Sequence, residues 1–464
     1  MSRRVLMVAN PFPPMASGGN ARQVRFARYL PENGWEVTIL AARSTGPAVV
    51  PRDLTIERAA APGPEGLYAA GRHMSRSLAA RRRGPAGRPS ASGTEDAEPQ
   101  PEAARDADGP APAEDLQPVP AVPEPARGPQ RRFSRRALVN DWIFVPDQHV
   151  GWILPAVALG RRLLQSQQYD AILSSYPGPS TQIVASSLAQ WSGLPWLADY
   201  RDPWATRHLR HYPTGLHRRT HYSLESRALS RACFVTATNR QIADDLTRRF
   251  PPLQGRVEVL PNGFDPLERP EEVPSLGDGL WLVHTGRLYG RSQQLERVLT
   301  AFAALPADVK LLFVGVEGGQ IVETAARLGV RDRVRTLPYV PHAVALGYQR
   351  AAAGLLLVTS NSPEALSSKV FEYLAAGRPI FAYTPVDSAA HDLLQEAGGA
   401  VCAPQSGLPD EPLRAFVGAV RDGSIVAPDP AVVDRYDGRA LTARLAGLLD
   451  GMLPSMNASR TPGE

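Results

Sequence analysis

Cysteine is nearly absent: Cys233 and Cys402 are the only two in 464 residues. Two thiols so far apart in sequence make neither a disulfide framework nor a Cys-based metal site, and a reducing compartment is the natural expectation. Lysine is as scarce. Only Lys310 and Lys369 occur among 51 basic residues, so nearly all positive charge is arginine and each lysine is unusually informative. No window holds about 18 uninterrupted apolar residues, as a membrane-spanning helix requires. A secretory leader needs about 7–15 apolar residues, but the run Val5–Ala9 ends at Asn10, ahead of Pro11, Pro13 and Pro14. A buried strand in a cytoplasmic protein is expected instead. Net charge is +5, with no basic run interleaved with aromatics and no zinc-finger or RNA-binding signature, which argues against nucleic acid as a partner.

Proline, by contrast, is abundant: 45 residues against 39 glycines. Eleven fall between Gly84 and Gln130, a stretch without aromatics whose only larger aliphatics are Leu116, Val119 and Val122. Such a segment cannot bury enough apolar area to offset its chain entropy. Residues 84–130 are therefore expected to be a disordered insertion within one domain.

The remainder alternates short apolar runs with helical patterns, the signature of parallel sheets covered by helices. In the first half, strands are expected at Val5–Ala9, Glu36–Ala41, Ala171–Ser174, Trp196–Ala198, Cys233–Ala237 and Val257–Leu260. Helices are expected at Ala21–Leu30, Trp152–Gln167 and Gln182–Gln190. After a Pro/Gly-rich linker, strands resume at Leu280–His284, Lys310–Val314, Val334–Leu337, Gly354–Val358 and Pro379–Ala382, with helices at Gln293–Ala304 and Ser368–Ala376. The fold class is α/β, two Rossmann-like domains facing across a cleft. The boundaries read 1–262 for the first domain, 263–278 for the linker, 279–430 for the second domain, and 431–464 for a C-terminal helix and tail. In such sheets ligands bind at the carboxyl ends of the strands, where strand order reverses.

Three places carry chemistry. Gly18 and Gly19 precede a helix, where backbone N–H groups can approach an anion or form a plain turn. Gly286, Arg287 and Arg291 follow the first strand of the second half; the two guanidinium groups suit a diphosphate clamp or surface charge in an arginine-rich chain. The segment NSPEALSSKVFEYLAAGRPI is the most informative. Ser367 or Ser368 can cap a helix that Gly377 and Pro379 end. Lys369 then lies in its first turn, where a cation opposes the helix dipole at a cost of about a few tenths of a kcal/mol unless an anion binds there. Glu372, one turn further, can accept both hydroxyls of a ribose, or can be a solvated helix residue. Glu364 precedes the helix in a loop.

Glu364 and Glu372 are separated by seven residues, and here the chain resembles glycosyltransferase family 4, the retaining nucleotide-sugar enzymes of the GT-B fold. ANPFPPMASGGN, LPNGFDP, HTGRL and SSKVFEYLAAGRPI agree with it. PDQHVGW and LPWLADYRDPW resemble a bacterial branch with a DYRDPW-type motif. The resemblance implies that Arg287 holds the donor diphosphate, with Arg291 or Lys369 as basic partner, and that Glu372 holds the nucleoside ribose. It places Glu364 at the transferred sugar and Gly18–Gly19 beside the phosphates and acceptor. Arg287, Lys369 and Glu364 would form the catalytic set. Where many members carry a sugar-facing histidine this chain reads Asp199-Tyr200-Arg201-Asp202, so Asp199, Arg201 and Asp202 become the acceptor or sugar candidates, while His149 and His284 are not obvious replacements. No metal and no cofactor are implied; the nucleotide sugar is a co-substrate, and a glycan, lipid or small molecule is the acceptor. A non-catalytic nucleotide-sugar binding or scaffolding protein and a sugar-nucleotide epimerase are the alternatives on the same fold. The arginine-rich stretches Arg76–Arg88 and Arg207–Arg219 suit a solvated face or contact with anionic lipid at the inner face of the cell membrane.

Overall fold

The computed structural model describes residues 2–15, 20–46, 50–51, 53–62, 142, 144–175, 178–206, 212–270, 272–286, 288, 292–316, 318–360 and 366–453. The insertion expected over 84–130 lies outside the described residues, as does Arg76–Arg88.

Two parallel sheets organise the chain. The first holds β1 (Arg3–Ala9), β2 (Trp35–Ala42), β3 (Thr55–Ala59), β4 (Ala171–Ser175), β5 (Trp196–Tyr200), β6 (Phe234–Ala237) and β7 (Val257–Val259), in the order β3-β2-β1-β4-β5-β6-β7. The second holds β8 (Leu280–Thr285), β9 (Val309–Val314), β10 (Val334–Leu337), β11 (Gly354–Val358), β12 (Ile380–Thr384) and β13 (Ala400–Pro404), in the order β10-β9-β8-β11-β12-β13. Strand order reverses between β1 and β4, where Val5 pairs with Ala171, and between β8 and β11, where Val283 pairs with Leu355. Both switch points open ligand crevices at the carboxyl ends of their strands.

The central strands form because their side chains are apolar on both faces and helices cover both sides. Along β4, β5, β11 and β12 every residue is buried. The edge strands β3 and β13 are the two that apolar runs do not announce. β3 reads TIERA with alternating exposure, and β13 reads AVCAP, mostly half-buried and ending at a proline.

The C-terminal helix Gly438–Gly451 packs on the first sheet, its Leu441, Leu445 and Leu449 sharing one core with Val5, Met7 and Phe26. It also lies against the helix Asn20–Tyr29. The chain thus crosses between the domains twice, near 264 and near 437, and the two crossings bond to each other. Phe264 N–H donates to Tyr436 O at 3.1 Å, and Gly438 N–H donates to Phe264 O at 2.9 Å. Gly263 makes this approach possible, since a Cβ there would sit 2.1 Å from Tyr436 O. Among the described residues no helix is long and apolar enough to cross a membrane.

Candidate functional site

The helix Ser368–Ala376 forms as its sequence requires, ended by Gly377 in the left-handed region at φ 65°. Ser367 occupies the N-cap position; its side chain makes no capping bond, and its carbonyl accepts from Val370 N–H at 3.2 Å. Lys369 stands in that turn. Its ammonium reaches back to β8, where Nζ lies 3.1 Å from Nε2 of His284. Gly286 follows β8 with φ 79°, a left-handed turn that favours glycine, and its N–H donates to Val314 O at 2.7 Å. A Cβ on Gly286 would meet Lys369 Cε at 3.3 Å and Nζ at 3.4 Å. Gly286 and Lys369 therefore share one spot at the switch point of the second sheet.

Glu372 is held on the same helix by a polar chain that reaches β8. Gln349 donates from Nε2 to Glu372 Oε2 at 3.4 Å and to Thr285 Oγ1 at 2.9 Å. Thr285 N–H donates to the Tyr373 hydroxyl at 2.8 Å. Gln349, Thr285 and Tyr373 are buried, and none of them was singled out in the sequence. Their contacts join positions 64 and 88 residues apart. Glu372 also lines a cavity of about 220 Å³ at the domain joint, with Phe264, Asp265, Glu268 and Arg269 of the linker.

Around that joint, charge is paired carefully. Arg28 bridges to Asp265 at 2.7 Å, and the Tyr29 hydroxyl also donates to Asp265. His342 lies 3.1 Å from Glu268. The hydrogen bond to Glu268 raises the His342 pKa above its ordinary value of 6.5. Burial works to raise that of Glu268, but the bond from His342 and the charges of His342, Arg25 and Arg28 outweigh it and lower it. Arg25 is almost wholly buried, which lowers its pKa, and the positive charge of Arg22 adds to the effect.

On the facing domain, Asp199 is buried at the end of β5. β5 runs through Asp199 to Tyr200, and the Asp199 side chain has no exposed surface. Its Oδ1 accepts from Arg22 Nη2 and from the Thr236 hydroxyl, both at 2.7 Å. Its Oδ2 accepts from Arg22 Nε at 3.0 Å and from the Ser175 hydroxyl at 2.8 Å. With both oxygens engaged, Asp199 is a structural node of this core. Arg201 and Asp202, at 3.5 Å from each other, are partly exposed just beyond the strand. His149 is half-buried, and His284 is fully buried. Gly18, Gly19, Arg287, Arg291 and Glu364 lie outside the described residues. Among the described residues no three His, Cys, Asp or Glu side chains gather as a metal-ligand set.

Two family models match the chain: the glycosyl transferase 4-like domain over residues 95–263 and glycosyl transferases group 1 over residues 279–422. No curated protein matches it in sequence. Solved structures do resemble it. HepE of Anabaena, in complex with UDP, is 14% identical with a TM-score of 0.59, over 97% of this chain and 100% of that one. Sucrose-phosphate synthase from Thermosynechococcus elongatus is 15% identical with a TM-score of 0.56, over 97% and 95%. WaaG, a glycosyltransferase involved in lipopolysaccharide biosynthesis, is 15% identical with a TM-score of 0.54, over 96% and 100%. At these identities the likeness is one of fold.

Proposed function

The chain is a glycosyltransferase of the GT-B fold, and from that premise we propose that it transfers a sugar from a nucleoside diphosphate sugar to a hydroxyl-bearing acceptor, as a retaining member of family 4. The observation that carries this reading is the convergence of Gly286, Lys369 and Glu372 at the switch point of the second sheet. The complex of HepE with UDP supports the choice of donor.

Chemically, the bond from the sugar's anomeric carbon to the donor phosphate breaks, and its electron pair leaves with the diphosphate. The acceptor oxygen bonds to that carbon on the same face, and its proton passes to the departing phosphate. Charge builds on the phosphate, so fixed positive charge and N–H dipoles are the largest help a protein can give; one such donor is worth about 2.7–4 kcal/mol. Lys369 and the start of its helix supply these, with Arg287 and Arg291 as further cations. Glu372 takes the ribose hydroxyls, Glu364 faces the transferred sugar, and Arg201 with Asp202 faces the acceptor. Gly18 and Gly19 lie beside the phosphates. No metal is required in this scheme. Closure of the domains excludes water and limits donor hydrolysis.

A panel of nucleotide sugars, read by nucleoside diphosphate release with acceptor extracts, tests the reading. Release should depend on acceptor and fall at least tenfold in Lys369→Met. Donor binding with no turnover for any acceptor would identify a non-catalytic binder instead, and donor conversion without acceptor an epimerase.

The acceptor domain also offers a membrane-facing surface in this proposal. Leu216 is 71% and Trp142 53% exposed. Arg218 and Arg219, on the same helix as Leu216, are exposed, and the ring of Trp142 meets that of His217 edge-on at 5.2 Å. Apolar anchors beside arginines suit an anionic lipid surface. Neutralising both arginines should lower partitioning onto anionic vesicles; unchanged partitioning refutes the surface.

A further inference from the structure

Asn10, Asn20 and Gln23 carry side-chain amides that the fold leaves partly unanswered. Asn10 follows Ala9, the last residue of β1, and Ala9 pairs with Ser175, the last residue of β4. Gln23 donates from Nε2 to Ser175 O at 3.0 Å, and the Thr181 hydroxyl donates to Asn10 O at 3.0 Å, so both residues stand at the switch point of the first sheet. Asn20 lies one turn before Gln23 on the same face of the helix Asn20–Tyr29, and its Nδ2 donates to Met15 O. Asn10 is 1%, Gln23 0% and Asn20 7% exposed. Yet Oδ1 and Nδ2 of Asn10, Oδ1 of Asn20 and Oε1 of Gln23 are buried with no hydrogen-bond partner among the described residues. The groups beside them are engaged: the Ser174 hydroxyl donates to Gln182 Oε1 at 2.6 Å, and that of Ser175 to Asp199 Oδ2 at 2.8 Å. Buried polar groups in native folds are almost always bonded, so four orphaned atoms at one switch point mark a partner that the chain does not supply.

The orphans also define that partner's chemistry. Carbonyls only accept, so the bonds to Ser175 O and Met15 O fix the amide nitrogens of Gln23 and Asn20 and leave their oxygens on the opposite side. The Asn10 amide offers one oxygen and one NH₂ whichever way it is turned. A partner must therefore donate to three oxygens and accept from an NH₂. An ionised phosphate or carboxylate has no proton to donate, and amide oxygens repel it. Hydroxyls both donate and accept, and several on one ring can serve the whole set. We propose that Asn10, Asn20 and Gln23 are specificity-determining residues for the acceptor, and that the group they receive is an uncharged hydroxyl-bearing ring, a glycosyl residue rather than a phosphate. The inference rests on the glycosyltransferase reading above and adds to it the chemical class of the acceptor. A site built to hydrogen-bond hydroxyls rejects groups that lack them.

Octyl glycosides of common hexoses, with geranyl phosphate as the contrasting probe, test this on the full chain, together with the nucleotide sugar that calorimetry shows to bind tightest. An octyl hexoside should be glycosylated, and geranyl phosphate should not. In Asn10→Ala and in Gln23→Met the KM for that hexoside should rise about tenfold or more, while donor Kd stays within about twofold. Because no described residue answers the Asn10 amide, Asn10→Ala should keep or raise the thermal midpoint, whereas a merely structural role would lower it and leave KM alone. Unchanged KM in both variants, transfer to geranyl phosphate alone, or no transfer to any octyl hexoside would overturn the proposal and leave the donor reading intact. No nucleotide sugar bound or consumed would overturn that reading, and this inference with it. Should the variants fail to fold, saturation-transfer spectra of the unaltered chain with the hexoside and the matching nucleoside diphosphate decide the matter. Transfer to the sugar ring protons is expected, and transfer to the octyl chain alone overturns the proposal.

Discussion

Removing the Asp199 carboxylate should unfold the acceptor domain more readily, not merely disable a binding surface. Arg22 is 3% exposed and Asp199 fully buried, and the guanidinium also donates to Leu260 O at 2.9 Å and Pro261 O at 2.6 Å. In Asp199→Ala the arginine keeps those carbonyls but loses its counter-charge, while Ser175 and Thr236 lose the acceptor of their hydroxyls. Breaking one side of a buried ion pair costs about 3–5 kcal/mol, because a charge is left uncompensated. For a domain of this size about 2–4 °C accompanies each kcal/mol, so the midpoint should fall by about 6–20 °C. Two domains need not melt together, so the assay must follow the right one. Tryptophan fluorescence does this, since Trp35, Trp152, Trp196 and Trp204 are all buried in the first domain. Asp199→Asn, which keeps an acceptor, should cost less than alanine. A midpoint within 2 °C of the parent in Asp199→Ala, together with lost turnover, would refute the structural role and return Asp199 to the acceptor site.

Three further outcomes are expected. Gly286→Ala forces a side chain into φ 79° and against Lys369; the left-handed conformation alone costs about 1–2 kcal/mol, and donor affinity by calorimetry should fall while the Asp199 region melts as before. The Cys402 thiol is pushed up to about 11, chiefly by burial, so at pH 8 about one in a thousand is thiolate, and Cys402 should alkylate far more slowly than an exposed thiol, as mass spectrometry of the labelled chain can check. The Glu268–His342 pair has a pH window: the raised His342 pKa contributes below its ordinary 6.5 and is lost as pH rises, and the lowered Glu268 pKa contributes above its ordinary 4.5 and is lost as pH falls. Its contribution is therefore greatest between those values. Because both side chains are nearly half exposed, His342→Ala should change the midpoint only slightly, and only there.

How much of this was legible in the sequence depends on what each residue answers to. Strands buried on both faces announce themselves, and β8, β9 and β11 fall within one residue of their apolar runs. The helix Ser368–Ala376 was readable to the residue, because the serine pair, the terminal glycine and the following proline are local signals. β3 and β13 were missed, since an edge strand with one solvated face lacks the apolar run that marks a buried one. Asp199 stood among the candidates only because its stretch lies where family members carry a sugar-facing histidine; its buried partner Arg22 lies 177 residues away, beyond any local signal.

The central claim is that a nucleoside diphosphate sugar is held at the carboxyl end of β8 with its ribose on Glu372. Titration calorimetry of the full chain and of Glu372→Ala, with the donor that releases diphosphate fastest, measures this directly. The expected result is tight binding by the parent and at least a tenfold weaker Kd in Glu372→Ala, with an unchanged thermal midpoint. Equal affinity in the two proteins would contradict the account.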